Sequence, residues 1–182
     1  MANGVIVESR IAATNVDSYN RDCVSTTADF AGGALVDLAA PAKQGDDRWV
    51  ATVPNATLGD LWMAYNPSEH LTAVGDKMFA GLSADPRDYV NVQGRTFSVF
   101  KPKKDDLIVI TADCVDDASE VVVGDFLESK ASQSTLTRVV KATGATANHT
   151  AFQVVWVGAL PFPKKGVGME YATAYKVVCV QE

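Results

Sequence analysis

Phe152-Gln153-Val154-Val155-Trp156-Val157 and Tyr175-Lys176-Val177-Val178-Cys179-Val180 are the two runs that decide the fold class. Both are dense in β-branched and aromatic residues, which lose χ1 freedom in a helix and pack well on a pleated surface. Polar breaks are scarce in both, so the pattern predicts strands covered on both faces. The second run closes almost at the C-terminus, which predicts a tail tied into a sheet.

Working outward, further short segments rich in Val, Ile, Phe and Thr read as strands: residues 5–7, 34–38, 48–53, 96–100, 107–111 and 126–129. Turn chemistry separates them, as in Ala31-Gly32-Gly33, Lys43-Gln44-Gly45-Asp46-Asp47 and Asn91-Val92-Gln93-Gly94. Residues 132–140 read as strand continuation through Thr135, Thr137, Val139 and Val140. The best helix signal is one turn at Asn66-Pro67-Ser68-Glu69-His70-Leu71, with Asn66 or Ser68 as cap. The expected class is mainly β, a β-sandwich or β-barrel lobes with little helix. Residues 1–182 read as one structural unit, or as two β lobes with a barrel-like lobe near 95–140 inserted among strands from 1–94 and 141–182. In that middle segment Val121-Val122-Val123-Gly124-Asp125-Phe126-Leu127 reads as a tight polar turn between buried runs.

Composition bounds the function. With 182 residues, 47% of them hydrophobic, the chain can build a real core. A formal charge of −6 and a pI near 4.9 argue against a nucleic-acid surface, which needs clustered Lys and Arg. Lys101, Lys103 and Lys104 run straight into Asp105 and Asp106, and with Lys164 and Lys165 they read as solvated turns beside prolines. Cys23, Cys114 and Cys179 form no metal or redox spacing and read as reduced, buried thiols. No signal peptide and no apolar run of membrane-spanning length is read, so no membrane partner is expected and the protein stays where it is made.

The sequence offers little chemistry for catalysis. His70 and His149 read as loop histidines without a partner at metal-ligating spacing, although a hydrolase built on either would need the two to meet a carboxylate in space. Asp113, Asp116, Asp117 and Glu120 lack the glycine and terminal glutamate of a calcium loop. Nucleophile-elbow, dinucleotide and phosphate-loop motifs do not occur, so the chain reads as non-enzymatic, with no cofactor and no metal. Trp49, Trp62 and Trp156 read as core residues. What stands out is the pairing of flat apolar side chains with rigid turns in Leu61-Trp62-Met63-Ala64-Tyr65-Asn66-Pro67 and Leu160-Pro161-Phe162-Pro163, which makes Trp62, Tyr65 and Phe162 candidate contact residues.

The opening Met1-Ala2-Asn3-Gly4-Val5-Ile6-Val7-Glu8-Ser9-Arg10, then Asn15-Val16-Asp17-Ser18, residues 29–38, Val123-Gly124-Asp125-Phe126 and Ala174-Tyr175-Lys176-Val177, resembles the accessory head proteins of tailed bacteriophages, the decoration, cement or head-fibre class. The resemblance implies β-rich domains docked on a capsid lattice, the major capsid protein as partner, a homo-oligomer, synthesis in the bacterial host cytoplasm and residence on the virion. It carries over no catalytic residue. The sequence holds no collagen-like or coiled-coil stalk, so a compact capsomer-bound protein is expected. A tail-tube or neck ring protein and a carbohydrate-binding module, the latter stacking sugars on Trp49, Trp62 or Tyr65, are the other expectations.

Overall fold

The structure is a computed structural model that describes residues 3–7, 17–41, 46–55, 61–66, 73–74, 77–78, 85–146, 149–163 and 168–181. It is mainly β. The strands are β1 (Ile6–Val7), β2 (Asn20–Ser25), β3 (Leu35–Pro41), β4 (Trp49–Thr52), β5 (Trp62–Ala64), β6 (Ala73–Val74), β7 (Lys77–Met78), β8 (Thr96–Phe100), β9 (Leu107–Thr111), β10 (Val115–Asp116), β11 (Phe126–Glu128), β12 (Leu136–Val139), β13 (Ala151–Pro163) and β14 (Met169–Gln181). Helix among the described residues is confined to short 3-10 turns at Asp17–Tyr19, Pro86–Asp88, Ala112–Cys114 and Ala118–Glu120. The turn expected at 66–71 lies outside the described residues from 67 onward, as does His70.

β13 and β14 pair antiparallel along their whole length, from Ala151 opposite Gln181 to Pro163 opposite Met169. This hairpin is the middle of a seven-stranded sheet in the order β1-β9-β14-β13-β11-β12-β10. The runs 152–157 and 175–180 lie in its two arms, but they are not covered on both faces. On β14, Tyr175, Val177 and Cys179 are buried while Lys176, Val178 and Val180 between them are only half-buried. On β13 the apolar run looks unbroken because a bulge inserts Val155 between Val154, which faces Val177, and Trp156, which faces Lys176. An extra residue shifts the two-residue period by one, so Trp156 turns away from the core and Val157, opposite Tyr175, packs against it.

A second sheet closes on itself as a five-stranded barrel, β2-β4-β3-β5-β8, with β2 and β4 parallel and the other pairs antiparallel. The sequence places a barrel-like lobe near 95–140, whereas the closed barrel runs from Asn20 to Phe100. The reason is pairing distance: β9 and β11 are short strands that pair with the long hairpin at the C-terminal end, with β12 and β10 added beyond β11, and such partners leave no trace in local turn chemistry.

Alternation along the barrel strands builds two cores at once. Val36, Ala64, Phe97 and Val99 point with Cys23 and Ala51 into the barrel, while Leu35, Met63 and Phe100 point outward. The outward set joins Ile108, Ile110, Leu127, Leu136, Phe152, Val154, Tyr175 and Val177 in one layer between barrel and sheet. Fully burying side chains of this size contributes about 1.5–3 kcal/mol each before conformational entropy is counted.

The barrel and sheet also meet at Cys114. Its thiol sits within hydrogen-bonding range of the carbonyls of Gly32 (3.5 Å) and Val5 (3.8 Å). A Cβ on Gly33 would lie 2.7 Å from this sulfur, and Gly33 has φ +76°, so only glycine fits there without strain. Nearby the Asn66 side chain mimics a strand, its amide donating to Ile6 O (2.6 Å) and its oxygen accepting from Ile6 N–H (3.2 Å).

All three cysteines are free and buried. Burial pushes the Cys23 and Cys114 thiols up to about 12, so neither forms thiolate near neutral pH. Ellman's reagent is therefore expected to label no cysteine in the native protein at pH 8 and all three in denaturant. Rapid native labelling at any of them would contradict this packing.

Candidate contact surface

The three predicted contact residues are built into the fold. Trp62 is half-buried against the barrel core, with the Arg21 guanidinium 5.6 Å above its ring. Tyr65 packs against the other core, its ring 4.9 Å from Phe100 and its hydroxyl donating to Asn20 Oδ1 (3.1 Å). Phe162 is a correction to the expected contact role: only 6% exposed, it lies under the Arg87 guanidinium at 4.9 Å. Trp49 packs partly buried on the barrel core. His149 is half-buried, its Nδ1 3.2 Å from Ser129 O and 3.7 Å from Glu128 Oε2. Among the described residues no group of three or more His, Cys, Asp or Glu is placed to hold a metal ion, and no helix is long and apolar enough to cross a membrane.

The exposed apolar surface lies elsewhere. Of the eight large hydrophobic residues that are exposed among those described, five gather where β11, β12 and β13 meet: Val122, Val123, Val140, Val155 and Trp156. Val122 and Val123 are a surprise, since the sequence places them in a buried run and only Val121 is buried. The Asp125 N–H donates to Val122 O (3.1 Å), which closes a turn with Val123 and Gly124 at its tip, Gly124 at φ +96°. This turn is laid onto β13 just before the bulge, by Gly124 N–H to Val154 O (2.8 Å) and Val154 N–H to Asp125 O (2.9 Å).

A buried carboxylate holds the turn rigid. Asp125 has no exposed surface and accepts hydrogen bonds from Arg138 Nε (2.7 Å), Lys141 N–H (3.1 Å) and Val122 N–H (3.2 Å). Arg138 also donates to Glu120 (3.0 Å). Burial by itself would raise the Asp125 pKa, but the Arg138 guanidinium and the two backbone N–H groups outweigh it and hold the carboxyl below its ordinary 3.8.

Trp156 is exposed and not a core residue, because the bulge turns it out of the sheet face that Val154 fills. Its indole lies flat over Gly158, two residues on and on the same face: a Cβ there would come within 2.0 Å of the ring. One face of the indole is thus seated on backbone and the other is presented outward. The sequence signal for this site was an apolar dipeptide entering a Gly-Asp turn, together with a Trp two residues before a strand glycine.

A second exposed surface forms at the far end of the hairpin. Beyond Gln153, β13 has lost β11, and before Ala174, β14 has no β9 beside it, leaving a two-stranded ribbon. One side of the ribbon is anchored by Phe162 under Arg87, which binds Asp85 through Nε (3.0 Å) and Nη2 (2.6 Å) and Glu170 at 3.4 Å. The other side exposes Tyr171 (70%) and Met169 (56%) beside Pro161.

Asp125→Asn keeps the shape and removes the charge, and is expected to cost about 2 kcal/mol, roughly 4–8 °C in Tm for a chain of this size. Because the folded-state pKa is lowered, that stability is complete above pH 3.8 and is lost as pH falls through the lower folded value. The wild-type Tm should therefore drop more steeply than that of Asp125→Asn on acidification below this pH. Gly158→Ala should lift the Trp156 indole off the strand and change its fluorescence emission and quenching by iodide, with far-UV circular dichroism unchanged. Unaltered quenching would contradict the stacking. No protein-family model, curated protein or solved structure matches this chain.

Proposed function

We propose that this protein is a virion structural protein that binds the outer face of a bacteriophage head and stabilises it, docking through the valine turn and Trp156. The observation that carries this reading is the rigid apolar surface of Val122, Val123, Val140, Val155 and Trp156. Apolar side chains on a mobile loop would lose binding energy to ordering, whereas these stand on backbone already fixed by Asp125 and by the β13 bulge. A tryptophan seated on glycine supplies a flat anchor, the residue type that dominates interface energetics. The resemblance of the sequence to phage accessory head proteins supports the choice of partner, the major capsid protein. Stabilisation then follows by mass action, since a ligand that prefers the assembled shell lowers the free energy of that shell.

The test is co-sedimentation of the purified protein with undecorated tailed-phage capsids. Wild type is expected to pellet with the shells and to raise their resistance to heat. Val123→Asp, a charge placed at the tip of the valine turn, should weaken binding by about 10–100-fold, in the range of interface hot spots. Failure of wild type to pellet at any concentration would overturn the proposal. Ring particles of the protein alone in negative stain would favour a tail-tube or neck protein, and a tryptophan emission shift with oligosaccharides would favour a carbohydrate-binding module.

A further inference from the structure

The outer edge of β14 is a backbone ladder whose upper rungs meet no partner among the described residues. Two hydrogen bonds at its base set the parity: Cys179 N–H donates to Asp106 O (2.9 Å) and Cys179 O accepts from Asp105 N–H (2.8 Å). Odd-numbered residues of β14 therefore direct their polar backbone groups toward the β9 side. Tyr175 and Val177 follow suit opposite Ile110 and Ile108, and the pairing stops at Ala174 opposite Thr111. No register shift falls on β14 between Cys179 and Met169, so Thr173 and Tyr171 continue the same ladder. Among the described residues nothing pairs with the outward N–H and C=O of either, and both residues are exposed.

The opposite edge of the ribbon is blunted. Pro161 faces Tyr171 and Pro163 faces Met169. With the Tyr171 backbone groups turned away from β13, those of Pro161 are turned away from β14, and a proline nitrogen there carries no hydrogen. Two of the outermost rungs of β13 thus lack donors, a device that discourages strand addition. Among the described residues, the outermost rungs of the ribbon thus keep their donors on the β14 edge only.

We propose that the chain forms a two-fold homodimer by antiparallel pairing of the two β14 edges about Tyr171. The segment is self-complementary. In that register Tyr171 meets Tyr171 of the second copy, Met169 meets Thr173, and Glu170 meets Ala172. Glu170, the single charge in 169–173, never opposes itself and keeps its ion pair with Arg87. The exposed side chains of Tyr171 and Met169 add cross-strand apolar contact. Because a two-fold pairing uses the same edge of both copies, assembly closes at two copies instead of growing into a filament.

Sedimentation equilibrium of the full chain is expected to give twice the 19.4 kDa of one copy. Tyr171→Pro removes an outward N–H that β13 does not use, so it should yield a folded monomer with Tm governed by the intact hairpin. Tyr171→Cys should cross-link the dimer under mild oxidant, because facing residues of a hydrogen-bonded pair stand about 5.5 Å apart at Cα, within disulfide reach. The native thiols are buried and will not contribute to that band. A wild-type mass of one chain, a Tyr171→Pro variant that stays dimeric, or no cross-link through Tyr171→Cys would each overturn the proposal. So would a dimer abolished by Val123→Asp and untouched at Tyr171.

Discussion

The hairpin between Ala151–Pro163 and Met169–Gln181 is the constraint on which the rest of the molecule depends. Every strand of the large sheet is ordered outward from it, β9 and β1 on the β14 side and β11, β12 and β10 on the β13 side. Phe152, Val154, Tyr175, Val177 and Cys179 give that sheet its buried face, and the barrel lays Leu35, Met63 and Phe100 against it. A two-stranded ribbon is marginal alone in water, so the lower half is stabilised by its neighbours and the upper half by the Phe162 and Arg87 anchor.

One inserted residue divides the hairpin into these two halves. Below Val155 the β13 side chains alternate between core and surface in step with β14, and above it Trp156 and Gly158 form an outward platform. A bulge costs a rung of the ladder but re-aims everything beyond it. The exposed tryptophan is a consequence of the irregularity at Val155, and the valine turn docks on Val154 immediately before it.

Two buried ion pairs position short turns. Asp125 with Arg138, and Asp85 with Arg87, are each fully engaged by neighbouring donors and hold short turns against the sheet. Hydrogen bonding keeps both carboxyls below their ordinary range: in Asp85 the Arg87 bond is the leading cause, and in Asp125 the bonds prevail over burial. Removing one partner would leave a buried charge unpaired, which is why such pairs fix geometry more reliably than they add stability.

By itself the sequence determined the secondary structure of most of the chain. The β-branched runs fell where β3, β4, β8, β9, β11, β13 and β14 are found, because side-chain shape and burial act locally on χ1 and on the pleat. Local pattern does not mark β2 and β5 as strands: Asn20-Arg21-Asp22 is too polar, and Trp62-Met63-Ala64 carries no alternation, so only barrel closure makes them strands. Tertiary structure alone decided where the barrel closes and which aromatics face outward. Trp62, Tyr65 and Trp156 are indistinguishable as apolar residues beside turns or within strands. What separates them is the partner each meets: Arg21 over one, Phe100 under another, and for Trp156 a glycine with no side chain, reached past a bulge, so that its outer face stays free.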